Sequence, residues 1–395
     1  MSAKVIRWLV IDTDAGVDDA IAIALALQLV KLPEYAYQIK ALTTCFGNVD
    51  CPQVIKNVSK VRAANGYSGH TGPNIIHGCH EPLTCKRLDA TYFHGMDGLG
   101  NNSYPDESNE HDLNNKTSAE FFVDICAEIE KNNDAPNNDQ IELTLVMLGP
   151  LTNLAVALAT NNDVVFGNIS HLVIMGGCGN ARGNLTRTTE FNISADPEAA
   201  ECIFKALEGS NVNTSIVSWE LCCDYPFTWA LFDELIHNDD SANTDGDGGG
   251  LRRFLFDISE QTYGMKQRAF LEMNTGKEYI ACLMYIIFGC VTSICTIIGA
   301  FCGAGAVICD LLAVAVALSG HSASTLVEES KAVNVEVELS GTHTRGQTIV
   351  DWGCYDGIKR IPNCNWITKI NMTEYTRMFR DIFKECGSNS INTLV

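Results

Sequence analysis

The sequence predicts an α/β protein with an open, mainly parallel sheet flanked by helices. Three observations carry that expectation. Short apolar runs rich in β-branched residues recur along the chain, segments of helical pattern separate them, and the first run leads directly into a cluster of four aspartates. A buried strand reads as a short continuous apolar stretch, and strand–helix–strand order points to a parallel sheet.

Taken in order, residues 5–11 (VIRWLVI) form the first strand. Asp18 to Leu32 follows as a helix with acidic residues in its first turn, where they favour the helix dipole. Residues 39–44 (IKALTT) are the next strand, and 141–148 (IELTLVML) another, with a helix over 151–160 behind it. The strand 171–175 (HLVIM) ends in Gly176-Gly177. A helix over 196–207 carries Pro197 in its first turn, and 213–218 is a further strand. The alternation is Rossmann-like. Loop insertions are expected within 101–140, at the Asn- and Asp-rich stretches 101–116 and 131–140, and again at 238–250 (NDDSANTDGDGGG). With no internal repeat and no clear linker, a single domain over 1–395 is the simplest reading.

Composition narrows the function. Hydrophobic residues make up 46% of the 395 and charged residues 19%, which excludes disorder as the ground state. Lys+Arg number 27 against 48 Asp+Glu, a net charge of −21. Such a chain is repelled by phosphate backbones and anionic membranes, so a general nucleic-acid binder is excluded and a bound cation favoured. The opening MSAKVIRWLV lacks the apolar stretch and cleavage site of a signal peptide. The 17 cysteines are odd in number and lack paired CxxC spacing. They read as reduced thiols in a cytoplasmic protein.

The chemistry concentrates in residues 11–20 (IDTDAGVDDA), with four Asp in eight positions at the carboxyl end of the first strand. Open α/β sheets place ligand sites at that edge. Carboxylates packed so closely repel one another unless a cation neutralises them, and hard oxygen ligands suit calcium or magnesium rather than zinc. Gly16 is expected to permit the tight turn that brings Asp14 and Asp19 together. A DxD after a strand also opens the magnesium-dependent phosphatases that use an aspartyl nucleophile, so the motif by itself is ambiguous.

Further motifs separate the two. DTDAGVDDA at 12–20, TTCFGN at 43–48, FHGMDGLGN at 93–101, LGPLTNLA at 148–155, MGG at 175–177, GNLTRTTEFN at 183–192, DPEAA at 196–200 and CDLLAVAVAL at 309–318 run in this order. Over roughly residues 5–320 the chain resembles the nucleoside hydrolase family, the inosine–uridine preferring ribohydrolases. The resemblance implies the nucleoside hydrolase architecture, and calcium-dependent hydrolysis of a ribonucleoside to ribose and free base. It matches Asp14 to a calcium ligand that is also the general base, and Asp19, the Leu148 carbonyl and Asp310 to the remaining protein ligands of the metal. Asp18, Asn184, Glu190 and Asn192 match the residues that hold the ribose hydroxyls and the 5′ end. Asn48 matches a residue that supports the metal and its water, and Met175 a ribose contact. It further implies a homodimer or homotetramer. Independently, glycosidic cleavage builds positive charge on the sugar, which an acidic pocket stabilises.

Two departures stand out. Where family members often carry a His that protonates the departing base, this chain has Cys309, and a thiol of ordinary pKa is a poor acid for that step. His94 is the alternative acid, with a structural loop histidine as the competing reading. Loss of the His leans the expectation towards purine nucleosides, whose base can be stacked by Phe93, Phe46, Trp219 or Tyr225. Second, Tyr279 to Cys309 contains no charged residue and has the length of a membrane helix. Its glycines, and its end at Asp310, favour buried helix and strand. A membrane segment and an atypical insertion stay open as alternatives, as does a non-catalytic relative that binds nucleoside and calcium without turnover.

Overall fold

The computed structural model describes residues 4–68, 71–105, 116–136, 138–237, 247–264, 305–320, 326–353 and 357–388. Its strands are β1 (Val5–Thr13), β2 (Tyr37–Thr44), β3 (Asn74–Ile76), β4 (Gln140–Met147), β5 (Ile169–Met175), β6 (Asn213–Val217), β7 (Phe227–Thr228), β8 (Gly305–Ala306), β9 (Val327–Val337), β10 (Thr348–Asp351) and β11 (Cys364–Ile370). Nine of them form one sheet in the order β10-β9-β11-β6-β5-β4-β1-β2-β3. From β11 to β3 every pairing is parallel, and β9 and β10 close the far edge with antiparallel pairings. The short β7 and β8 pair separately.

The helices are α1 (Val17–Leu29), α2 (Cys51–Ala64), α3 (Thr91–His94), α4 (Ser118–Asn133), α5 (Thr152–Asn168), α6 (Phe191–Ala195), α7 (Pro197–Leu207), α8 (Trp219–Asp224), α9 (Trp229–Phe232), α10 (Asp247–Ser259), α11 (Cys309–Ser319) and α12 (Met372–Ser388). The predicted α/β class is therefore the observed one. β1 lies between β4 and β2, so the chain winds away from it in both directions. Such a switch point leaves a crevice outside the carboxyl ends of the strands, and β1 delivers its aspartates there.

Two helices explain how the crevice is floored. α1 (VDDAIAIALALQL) and α11 (CDLLAVAVALS) are apolar on every side and almost wholly buried. A helix of that kind belongs in a core. They pack on each other, with α10 and α12 outside α1 and with β4 and β5 beneath α11. Alternating alanines keep both thin enough for close approach. Each begins beside the crevice with acid in its first turn: Asp18 and Asp19 in α1, Asp310 in α11.

Some expectations need amending. α4 runs to Asn133 and β4 begins at Gln140, so 131–140 is mostly a short link between regular elements. α10 starts at Asp247, which places 247–250 in a helix. The uncharged run lies outside the described residues as far as 304, and 305–309 form β8 and the entry to α11. Among the described residues no helix is long and apolar enough to cross a membrane.

Candidate active site

The turn after β1 sets the site. Ala15 takes a left-handed backbone (φ 41°), and its N–H donates to Thr13 Oγ1 at 3.0 Å. Gly16 has an extended backbone (φ −76°), so its glycine is required for space and not for the turn itself. A Cβ at Gly16 would lie 2.6 Å from Asn48 Nδ2 and 2.8 Å from the His94 ring. One at Gly47 would overlap Asp14 Oδ2. One at Gly149 would lie 3.0 Å from Asp14 Cγ, so the backbones at Gly47 and Gly149 both crowd that carboxylate.

Asp14 is fully buried and accepts from the Asn48 N–H (2.8 Å) and Asn48 Nδ2 (3.0 Å). The same Nδ2 reaches Asp19 Oδ2 at 3.1 Å. Asp19 also accepts from Thr13 Oγ1 (2.5 Å) and the Gly16 N–H (2.9 Å), which caps α1. Behind them Asp12 accepts from Thr43 Oγ1 (2.5 Å) and Asn153 Nδ2 (2.8 Å), while its Oδ2 is buried without a hydrogen-bond partner.

Side-chain oxygens of Asp18, Asp19 and Asp310 lie within 4.8 Å of one another. At that range two ionised carboxylates repel by about 3–4 kcal/mol even with an effective dielectric of ~20. Burial and the neighbouring charges of Asp18, Asp19 and Asp14 push Asp310 well above the usual carboxylate range. Burial and Asp19 do the same to Asp14, and burial raises Asp19 against the pull of Thr13. Burial carries Asp12 to about 7. Buried anions of one sign with raised pKa values are a set of hard oxygen ligands short of a cation, so these residues fit a divalent metal. The group that converges contains Asp18 in addition to the expected Asp19 and Asp310. Asp14 adjoins it through Asp19 and Asn48.

These residues open into a cavity with about 710 Å³ of empty space, its mouth included. One wall holds the polar residues predicted to meet a sugar. Asn192 Nδ2 donates to the Leu148 carbonyl at 2.6 Å and lies 3.2 Å from Met175 Sδ. Asn184 Oδ1 accepts from the Phe191 N–H at 2.8 Å, which leaves Nδ2 as its outward donor. Glu190 lines the cavity, but its carboxylate accepts from the N–H groups of Gly177 (3.0 Å), Asn192 (2.9 Å) and Ile193 (3.2 Å). It caps α6 while staying on the cavity lining, and a carboxylate with three bonds accepted keeps a lone pair for a further donor.

The other wall is apolar, and sequence reasoning found only part of it. Phe93 and Trp219 line the cavity together with Tyr92, Phe191 and Val307. Phe46 does not: it is fully buried against Cys45 and Ala195. Tyr225 packs on the main core. No sequence signal groups Tyr92, Phe191 and Val307, because α3, α6 and the turn before α11 meet only in three dimensions.

The surroundings of Cys309 and of His94, the candidate acid, bear on how the base could leave. Contact with the Cys222 thiol, and then burial, push the Cys309 thiol well above its usual value. His94 Nδ1 accepts from the Val17 N–H at 3.0 Å, which assigns the ring proton to Nε2, 3.8 Å from Asp18 Oδ1. An imidazolium has no lone pair for Val17, so a His94 that protonates a leaving group must first release the start of α1. In this geometry the ring braces α3 against the start of α1, at Val17 and Asp18.

Fold and site together define an open-sheet α/β protein with an acidic small-molecule pocket at its switch point. The comparisons with known proteins carry this to a family. The chain belongs to the inosine-uridine preferring nucleoside hydrolase family, whose model matches residues 9–377. That match removes the phosphatase alternative left by the DxD motif. A probable uridine nucleosidase 2 of Oryza sativa subsp. japonica is 32% identical over 213 residues, 52% of this chain and 57% of that protein. The inosine-uridine preferring nucleoside hydrolase of Crithidia fasciculata is 34% identical over 198 residues, 50% of this chain and 56% of its own. The matched stretch thus spans little more than half the length of these relatives. The solved structure of an inosine-guanosine nucleoside hydrolase aligns with a TM-score of 0.72 at 28% identity, covering 96% of this chain and 99% of that one. A purine-preferring ribonucleoside hydrolase from Gardnerella vaginalis aligns at 22% identity with a TM-score of 0.69, a likeness of fold.

Proposed function

We propose that this protein hydrolyses the N-glycosidic bond of ribonucleosides to ribose and free base, depends on calcium, and favours purine nucleosides. The observation that carries the reading is the cluster of Asp18, Asp19 and Asp310, joined to Asp14 through Asn48, at a cavity lined by Asp18 and Asp310, by the amides of Asn48, Asn184 and Asn192, and by Phe93, Phe191 and Trp219. A ribose needs the amides and a flat base the aromatic side chains.

Asp14, Asp19, Asp310 and the Leu148 carbonyl would hold the cation, with Asp18 beside them. A divalent cation there supplies Lewis acidity, which lowers the pKa of a bound water and fixes sugar hydroxyls. The chain does the rest. Asp14, its carboxylate oriented by Asn48, takes the proton of the attacking water. Asp18, steadied by His94, and Asn184 and Asn192 bind the sugar hydroxyls, with Met175 against the ring. The carboxylates stabilise the positive charge that develops on the ribose. With Cys309 held as a neutral thiol, the base leaves by stacking on Trp219, Phe93 or Phe191 and taking its proton from solvent, which favours purines. A cytoplasmic homodimer or homotetramer completes the reading, and light scattering on the full chain tests the assembly.

Ribose release from inosine and from uridine, each with calcium and with excess chelator, is the deciding assay. Chelator-sensitive release with a higher kcat/KM for inosine is expected. Calcium binding without release from either substrate would replace the hydrolase reading with a binding-only relative.

A further inference from the structure

The loop after β5, residues 176–190, brings Asn184 to the cavity, yet it has no regular structure of its own. Ala181 within it adopts a left-handed backbone (φ 54°), which an L side chain disfavours. On both sides of Ala181 the loop turns N–H groups towards a single carboxylate. Glu220 Oε2 accepts from Gly179 at 2.8 Å, and Oε1 from Asn180 at 2.8 Å and Arg182 at 3.4 Å. Successive N–H groups around a left-handed residue form an anion-binding nest. Here the anion is part of the protein, from α8, and is buried. The preceding residue, Trp219, lines the apolar wall and ties its own N–H to the Gly177 carbonyl at 3.0 Å.

We infer that Glu220 is a positioning residue: its carboxylate holds the 179–182 nest in the shape that presents Asn184 to the sugar, and links that face to Trp219 on the base side. The inference rests on the nucleosidase reading for its substrate, but the nest itself does not. No catalytic or metal-binding role assigned above falls on Glu220. The loop's base is tied elsewhere and its far half closes on itself, with the Gly183 and Asn184 N–H groups donating to the Arg187 and Thr189 carbonyls at 3.1 Å each, while Glu220 holds the 179–182 turn that leads into it. Thr348 Oγ1 bonds Cys178 at N–H and carbonyl (3.0 and 2.8 Å), and Trp352 Nε1 donates to the Gly179 carbonyl at 3.3 Å.

The test uses the full chain, with Glu220→Gln, Ala181→Gly, Asn184→Ala and the doubles of Glu220→Gln with each of the others. Loss of a charge-assisted nest should raise KM for inosine roughly tenfold and leave kcat within a factor of about three. Glu220→Gln and Asn184→Ala should not multiply in the double variant, because one acts through the other. Ala181→Gly, which adopts the left-handed backbone freely, should be near wild type alone and recover part of the KM lost in Glu220→Gln. Amide hydrogen exchange over 178–189, read without substrate, should accelerate in Glu220→Gln while β5 stays protected. Unchanged exchange in that loop overturns the proposal, and so does a lowered melting temperature with KM unmoved. Absence of ribose release from the wild type would sink the hydrolase reading alone, since the exchange experiment still reads the nest.

Discussion

The two walls of the cavity are built by different physics. The carboxylate wall is cross-linked: Asn48 bonds both Asp14 and Asp19, Thr13 and Gly16 hold Asp19, and Asn192 reaches Leu148. The aromatic wall brings together side chains from α3, α6, α8 and the turn before α11, which meet the cavity through apolar surface while hydrogen bonds hold their backbones, as at Trp219 and Phe191. Directional bonds fix atoms to a few tenths of an ångström, which proton transfer and charge stabilisation require. Packing fixes a shape and tolerates exchange of one apolar group for another. On the proposed function, the first wall would carry the reaction and the second the choice of base.

The comparison predicts unequal consequences. Asp14→Asn keeps the size of the side chain, gives up one of the two bonds accepted from Asn48 and removes the base, so kcat should fall by about 10²–10⁴-fold with circular dichroism unchanged. Next in size is the cation. Calcium at a hundredfold excess over its Kd should stabilise the wild type by about 2.7 kcal/mol in thermal unfolding, and Asp310→Asn should abolish most of that gain.

The pH dependence follows from the raised carboxylates. Asp12 titrates at about 7 in the folded chain against 3.8 ordinarily, and Asp14, Asp19 and Asp310 are raised as well. A raised acid contributes stability that is fully present below its unfolded pKa and is lost as pH rises through the folded one. The chelated protein should therefore melt higher at pH 6 than at pH 8. Calcium, which binds the ionised form, should raise the melting temperature more at pH 8, and a calcium shift independent of pH would contradict the carboxylate account. Smallest is the aromatic wall. Trp219→Ala should lower kcat/KM for inosine by about tenfold and for uridine by less, as expected for loss of one apolar contact. Equal losses on both bases would remove Trp219 from base selection.

How far each wall is legible in sequence follows the same division. β1, β4, β5 and β6 read as apolar runs because parallel strands are covered on both faces. The aspartates of residues 12–19 are visible because four acids at the end of such a run demand an explanation. β9, with its first half exposed, and β10 at the sheet edge carry no comparable pattern, and neither was anticipated. The sequence points to Gly16 for the turn, whereas Ala15 takes the left-handed backbone and Gly16 only makes room. Glu220 has no motif around it, because what defines it is three backbone N–H groups from a distant loop.

The site also has a bearing on synthesis. Asp14, Asp18 and Asp19 leave the ribosome early, and Asp310 emerges only after most of the chain has been made. Until α11 docks on α1, the nascent protein displays three acids and lacks the fourth. A chain stopped before α11 would lack Asp310 and so one acid of the cluster.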